Sequence, residues 1–263
     1  MPLLSAGMRK LLRQPGLLFF GFFIVPMLAL LFKLVLQGIV LVRSGRHAEG
    51  GVDLFLSAAK GLSLSGNSLG HLFYAMGIAS VFFLEYRLST WRLMVPRHAR
   101  SRLFAAKFCA CLICLGAGLI VAMVGDMALN LAMSLLAGEG LRAISLNAGS
   151  AGLLVPAFGI ALMELAVLTA LVAALVIISR SMIAAVFPAF LLAITASMLQ
   201  IYAGRDAEIL PLPSYAAGTL RAWLFAAKGQ AAGLEALLIL LAWLVGLLGL
   251  GSVWFLRQQL ATE

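Results

Sequence analysis

Apolar residues occupy this chain in six long blocks, at about residues 17–42, 69–86, 103–136, 152–179, 181–203 and 233–256. Each block is long enough to cross a bilayer, because a helix needs roughly 20 apolar residues to span the hydrocarbon. Helices also satisfy their own backbone in lipid, a property shared only by closed barrels, and the alternating strands of roughly 10 residues that a barrel requires do not occur in the sequence. The pattern predicts an all-α, polytopic membrane protein with six transmembrane helices, in which residues 1–263 form a single transmembrane domain. Block two, resting on Leu69 to Leu84, is the shortest. Block three exceeds one crossing and is expected to extend out of the bilayer. Ser179-Arg180-Ser181 leaves almost no loop between blocks four and five, which predicts a tight antiparallel hairpin. Pro26 and Pro188 interrupt two of the blocks, where each would kink a helix.

The first block is too long for the apolar stretch of a signal peptide and reads as a retained span. Ahead of it, Leu3, Leu4, Gly7, Met8, Leu11 and Leu12 recur at helical spacing opposite Ser5, Arg9, Lys10 and Arg13, and Pro15-Gly16 then breaks the helix. Residues 1–15 therefore read as an interfacial helix with its cations toward phosphate, or, on a plainer reading, as a basic flank that sets topology. Both readings put the segment at the cytoplasmic face.

Composition strengthens the membrane reading. Apolar residues make up 63% of the chain and charged residues 11%, at a mean hydropathy of +1.08, far from the usage of a soluble domain. The net charge of +9 would suggest nucleic acid in a soluble protein. Here the cations sit between the apolar blocks, so the bilayer surface is the expected partner and no nucleic acid is expected. With the N-terminus inside, the cytoplasmic segments hold eleven cations: Arg9, Lys10, Arg13, the six from Arg87 to Lys107, Arg180 and Arg257. The outer segments hold seven, namely Arg43, Arg46, Lys60, Arg142, Arg205, Arg221 and Lys228. The excess places both termini in the cytoplasm.

Three ionisable residues fall inside the blocks, where each costs roughly 2.5–3.5 kcal/mol at a helix centre. Counting 1.5 Å per residue puts Lys33 and Asp126 both toward the outer leaflet, where they could form an ion pair, and Glu164 nearer the middle. Assembly contacts, snorkelling and the lining of a cargo path all remain open for them. Cys109, Cys111 and Cys114 point in different directions on a helix, so one metal ion could not collect all three. His47, His71 and His98 are isolated in sequence. Gly125-Asp126 matches half of an intramembrane aspartyl protease motif, but a second aspartate is missing from the other blocks. Ala242, Gly246 and Gly249 form a small-residue strip suited to close helix packing. No inverted repeat of the kind found in secondary transporters is evident. There is no G-x-x-x-x-G-K-[ST] loop, so no ATP site and no cofactor are expected on this chain.

Between blocks two and three lies FFLEYRLSTWRLMVPRHARSRLFAAK, residues 82–107, with six basic residues and one glutamate. Pro96 ends any helix at Val95. Before it, Leu88, Trp91 and Val95 share one face while Leu93 and Met94 occupy the other. A short helix apolar on both faces suits either a membrane-surface anchor or a docking element that a protein partner covers. The run Glu85-Tyr86-Arg87-x-x-Thr90-Trp91-Arg92-Leu93-x-x-Pro96-x-x-x-Arg100, followed by Lys107, resembles the signature after the second span of type-2 ABC transporter permeases. It is most similar to the bacterial exporter branch that includes lantibiotic-immunity and antibiotic-export permeases. The basic helix before span one, the six spans, the short fourth loop and the outer Leu210-Pro211-Leu212-Pro213 agree with that family. Ser89 stands where glycine is usual, and Met94-Val95 where a leucine pair is usual.

The resemblance implies a permease subunit that pairs with a second permease chain, as a homo- or heterodimer, and with two cytosolic ABC ATPase subunits that hold ATP and Mg. Residues 87–96, starting at Arg87, would be the coupling helix, with Leu88, Trp91 and Val95 docked on the ATPase. Glu85 would stand at its membrane-proximal start, Thr90 would hold the turn, Pro96 would end it, and Arg92 and Arg100 would face phosphate or the partner. The implied role is export of an amphipathic or hydrophobic cargo, such as a peptide antibiotic, across the bacterial inner (cytoplasmic) membrane. Two alternatives stand beside it: an intramembrane enzyme acting on lipid or peptide, and a non-transporting anchor or sensor coupled to an ABC ATPase.

Overall fold

A computed structural model describes residues 2–44, 52–88, 99–138, 144–203, 210–226 and 230–258. Within them, six helices are long and apolar enough to cross a membrane: Pro15–Arg43, Ser68–Arg87, Arg100–Leu136, Ala148–Ser179, Met182–Tyr202 and Ala232–Arg257. They coincide with the six apolar blocks to within a few residues.

The amphipathic pattern at the N-terminus folds as helix α1 (Pro2–Leu12). Leu11 is buried, Leu3, Leu4 and Met8 pack on the core, and Arg9 and Arg13 are exposed. Pro15 then takes the first position of α2 (Pro15–Leu18), where a missing N–H removes nothing from the helix. A π-helical turn (Phe19–Phe23) joins α2 to α3 (Ile24–Ser44) in one long rod. Pro26 has no N–H to give Phe22 O, and the ladder widens into the π turn just before it, so the expected proline distortion takes this form. The π turn also brings the rod hard against its neighbours. A Cβ built on Gly77 would lie 2.5 Å from Gly21 Cα, and one on Gly118 would lie 2.8 Å from Phe22 O. Hydrogen is the only side chain these two crossings accept.

After α3, a two-residue strand β1 (Val52–Asp53) leads into α4 (Leu54–Gly61), a 3-10 turn (Leu62–Gly66) and α5 (Ser68–Arg87). Asp53 caps α4 by accepting from Phe55 N and Leu56 N, and Asn67 caps α5 by accepting from Leu69 N. Helix α6 (Arg100–Leu136) and α7 (Ala148–Ser179) follow, with strand β2 (Ile144–Ser145) between them. β1 and β2 pair in parallel, Val52 with Ile144 and Asp53 with Ser145. The pairing is parallel because α4 and α7, which the strands feed, descend side by side. Ser150 Oγ bonds Asp53 Oδ2 at the top and Ser65 Oγ meets Glu164 Oε2 lower down. The short second span is thus the lower half of a broken element, α4 to α5, which runs beside the long α6 and α7.

Helix α7 is the hub and is buried along most of its length, whereas the first, fifth and sixth spans are the most exposed. It reverses into α8 (Met182–Ala203) through Arg180, whose φ of 52° is left-handed, and Arg180 N donates to Val176 O. The expected tight hairpin is present. Helix α9 (Pro213–Ala226) then rises antiparallel to α10 (Gln230–Arg257), and both pack on α7 through Ile160, Val167, Ala216, Leu220, Ala236 and Leu240. One expectation needs correction. Ala242, Gly246 and Gly249 are exposed, and a Cβ at Gly246 or Gly249 would meet nothing within 4 Å, so the strip packs on no helix of this chain. The glycine of α10 that does pack closely on α7 is Gly251, where a Cβ would lie 3.4 Å from Ala174 Cβ.

Candidate functional site

Polar side chains inside the helical domain gather at three levels. The outermost is built on Lys33 and Asp126, which similar depth had suggested as a pair, and Lys33 Nζ lies 2.6 Å from Asp126 Oδ1. Helix α4 completes the arrangement. Ser57 Oγ receives Lys33 Nζ at 3.0 Å and reaches Asp126 Oδ2 at 2.7 Å, while Asn130 Nδ2 bonds both Ser57 Oγ and Asp126 Oδ2. Gln37 Nε2 extends the chain to Asn130 Oδ1 at 3.0 Å. Asp126 thereby has a donor for each oxygen, as a buried carboxylate requires. Lys33→Ala or Asp126→Ala should therefore lower the melting temperature of the reconstituted protein more than the double substitution does, because a lone charge costs more than none. Additive losses in that cycle would contradict the pair.

At the middle level, residue counting had placed Glu164 but none of its partners. Glu164, sixteen residues after Ala148 on α7, forms an ion pair with Arg221 of α9, bonding through Oε2 and Nη2. Arg221 Nη2 also donates to Ser65 Oγ at 2.7 Å, and Ser65 Oγ lies within donating distance of Leu62 O and Glu164 Oε2. His71 brings Nε2 to 3.8 Å from Glu164 Oε1. Two sequence readings change here. His71, isolated in sequence, stands beside Glu164. Arg221, counted as an outer loop charge, is a partner inside the domain and drops out of the loop count. The signals that locate α9 were present: Pro213 at a helix start followed by Tyr215, Leu220, Trp223 and Leu224 at helical spacing.

Between these two levels lies a cavity of about 450 Å³ lined by Pro26, Leu30, Lys33, Ser63, Asn67 and Asp126 among others, with Gly66 in its wall. A Cβ on Gly66 would fall 2.8 Å from Arg221 Nη1 and 3.3 Å from Glu164 Oε1. A single glycine therefore separates the cavity from the central ion pair.

The third level lies at the end of the bundle that carries α1 and the segment between α5 and α6. Glu85, 2% exposed, takes Lys10 Nζ from α1 and Lys107 Nζ from α6 on the same oxygen, each at 2.7 Å. Tyr86 Oη donates to Gln258 Oε1 at 2.9 Å, and Gln258 Nε2 donates to Ile177 O at 3.3 Å. Arg100, which the resemblance has facing phosphate or the partner, is instead turned inward. Its Nη1 reaches Phe255 O, Leu256 O and Gln258 O at 3.3, 2.8 and 2.7 Å. The physical reason is the end of α10, whose last carbonyls have no intrahelical donor and carry the negative end of the helix dipole. α5 ends at Arg87, and Leu88 at its C-cap is 56% exposed. Thr90, Trp91, Arg92, Val95 and Pro96 lie outside the described residues.

Cys109 is exposed, whereas Cys111 and Cys114 are buried, and all three are free thiols. Among the described residues no group of three His, Cys, Asp or Glu side chains could hold a metal ion. No protein-family model matches the chain, and neither the curated proteins nor the solved structures supply a significant match.

Proposed function

We propose that this chain is the membrane-spanning permease subunit of an ATP-binding cassette exporter, working with a second permease chain and with ATPase subunits that are separate polypeptides. The observation that carries the reading is the cytoplasmic knot at the two ends of residues 89–98. On the near side Glu85 ties α5 to α1 and α6, and Tyr86 reaches α10. On the far side Arg100 closes the end of α10, whose Gln258 reaches α7. A push on the charge-rich segment between them would reach five helices through direct polar contacts. That is what a coupling element needs in order to convert ATPase closure into movement of spans. The sequence signature Glu85-x-x-x-x-Thr90 through Pro96 and Arg100 supports the same reading. An amphipathic or hydrophobic cargo moved outward, such as a peptide antibiotic, is the substrate class proposed with it, in the bacterial inner membrane with both termini cytoplasmic.

The purified chain alone is expected to hydrolyse no ATP, and activity should appear only when a separate ABC ATPase subunit is added. Hydrolysis by the isolated chain above a mock preparation would contradict the proposal. Turnover of a lipid or peptide without any ATPase would favour the intramembrane-enzyme alternative. ATPase association without cargo movement would favour the anchor or sensor.

A further inference from the structure

We propose that His71, Glu164 and Arg221 form a proton-binding site at the centre of the membrane domain, reached from the outer cavity. It is independent of the ATPase-coupled reading above, since it concerns only groups within this chain.

The argument starts from two atoms. His71 is 4% exposed and Glu164 1%, and His71 Nε2 and Glu164 Oε1 are both buried with no hydrogen-bond partner. They face each other across 3.8 Å, too far for a direct hydrogen bond. Glu164 Oε2 is already committed to Arg221 and Ser65, so Oε1 is the free acceptor of the carboxylate. When the imidazole lacks a proton on Nε2, two lone pairs oppose each other in a buried site, and each group carries the cost of an unmade bond. One proton resolves both. It passes from hydronium in the cavity to the Nε2 lone pair, an O–H bond breaking as the N–H bond forms and a water molecule remaining, and the new N–H donates to Oε1 as the gap closes to hydrogen-bond distance. The cluster passes from zero charge, Glu164 minus and Arg221 plus, to a single positive charge.

The surroundings fit a proton better than other occupants. A metal ion would sit beside the Arg221 guanidinium, with only one imidazole and one carboxylate oxygen to hold it. Access is provided at Gly66, where the backbone is all that parts the cavity from Oε1 and the guanidinium. The other charged groups near this depth are Lys33 and Asp126, across the cavity and bonded to each other, and Lys60 of α4, whose side chain is exposed. On α5 itself Tyr74 lies nearly one turn further on. α8 brings no ionisable side chain before Tyr202 at its outer end, and the π turn and the 3-10 turn bring none. His71 is thus the one imidazole among the described residues.

The chain has three histidines, so His47→Gln/His98→Gln leaves a single imidazole that ¹⁵N-histidine NMR of the nanodisc-reconstituted protein reads directly. On lowering pH from about 7.5 to about 4.5, the Nε2 resonance should move reversibly from the unprotonated to the protonated range. In Glu164→Gln that transition should shift by about one pH unit or more. If Glu164→Gln does not fold, Glu164→Gln/Arg221→Gln, which leaves no stranded charge, should show a shifted transition as well. An Nε2 that stays unprotonated throughout, as a permanently bridging water would leave it, overturns the proposal. So does a transition that is identical in the wild type and whichever of these variants folds.

Discussion

Arg221→Met should lower the stability of the protein by about 3–5 kcal/mol, the range seen when one partner of a buried ion pair is removed. The loss does not come from the arginine's packing, since methionine keeps most of the stem. It comes from Glu164, whose side chain is 1% exposed and would keep a charge in a site that holds only Ser65 and an imidazole whose Nε2 is unbonded beside it. Glu164→Gln/Arg221→Met should recover most of the stability, because no charge is left without a counterpart. Thermal unfolding of the reconstituted variants measures both. Equal losses for the single and the double substitution would mean that α9 is held by its apolar face alone. The same experiment bears on architecture, because Arg221 is the charged link between α9 and the buried hub α7.

Glu85→Gln should have the next largest effect, and its two ion pairs should contribute unequally. Lys107 is 15% exposed and also approaches Val81 O at 3.3 Å, so without Glu85 it stays inside the protein as an uncompensated cation. Lys10 is 41% exposed and can turn to water or lipid phosphate, so its share is discounted for solvent screening. The Lys107 contact should account for most of a loss of about 1.5–3 kcal/mol, the usual worth of a charge-assisted bond. The functional outcome is the more informative one. α1 loses its tether to α5, so cysteine labelling along α1 should rise and transport should fall, while association with the ATPase is nearly retained. Unchanged labelling of α1 would mean that Leu11 and its apolar neighbours hold that helix without the ion pairs.

The transmembrane plan was legible because it depends on one quantity, the length of an apolar run against the thickness of a bilayer. Blocks such as 103–136 and 152–179 reappear as Arg100–Leu136 and Ala148–Ser179 with shifts of a few residues at their ends. Depth was legible for the same reason. Residue counting placed Lys33 and Asp126 at one level, and they meet. Counting could not find Arg221, since a search for long runs passes over the fourteen residues of α9 and leaves its arginine in an outer loop. It also passed over α4, although Asp53 before an apolar run is a helix-start signal. The remaining features join residues far apart in sequence. Ser65 and Arg221 are 156 positions apart, and Arg100 and Leu256 at the end of α10 equally far, so local periodicity carries no trace of either contact. The inward turn of Arg100 was misjudged for this reason.

The proposed coupling role of residues 87–96 is the central claim, and co-purification with an ABC ATPase subunit tests it most directly. Trp91→Ala removes the large aromatic anchor of the proposed docking face, and the Leu88→Ala/Val95→Ala variant removes the rest of it. Loss of a central aromatic anchor is often worth about 2 kcal/mol or more, so ATPase affinity should fall by about tenfold or more in each variant while the permease still inserts. Full ATPase recovery by both variants, with altered membrane insertion for Trp91→Ala, would contradict the account and make the segment a surface anchor.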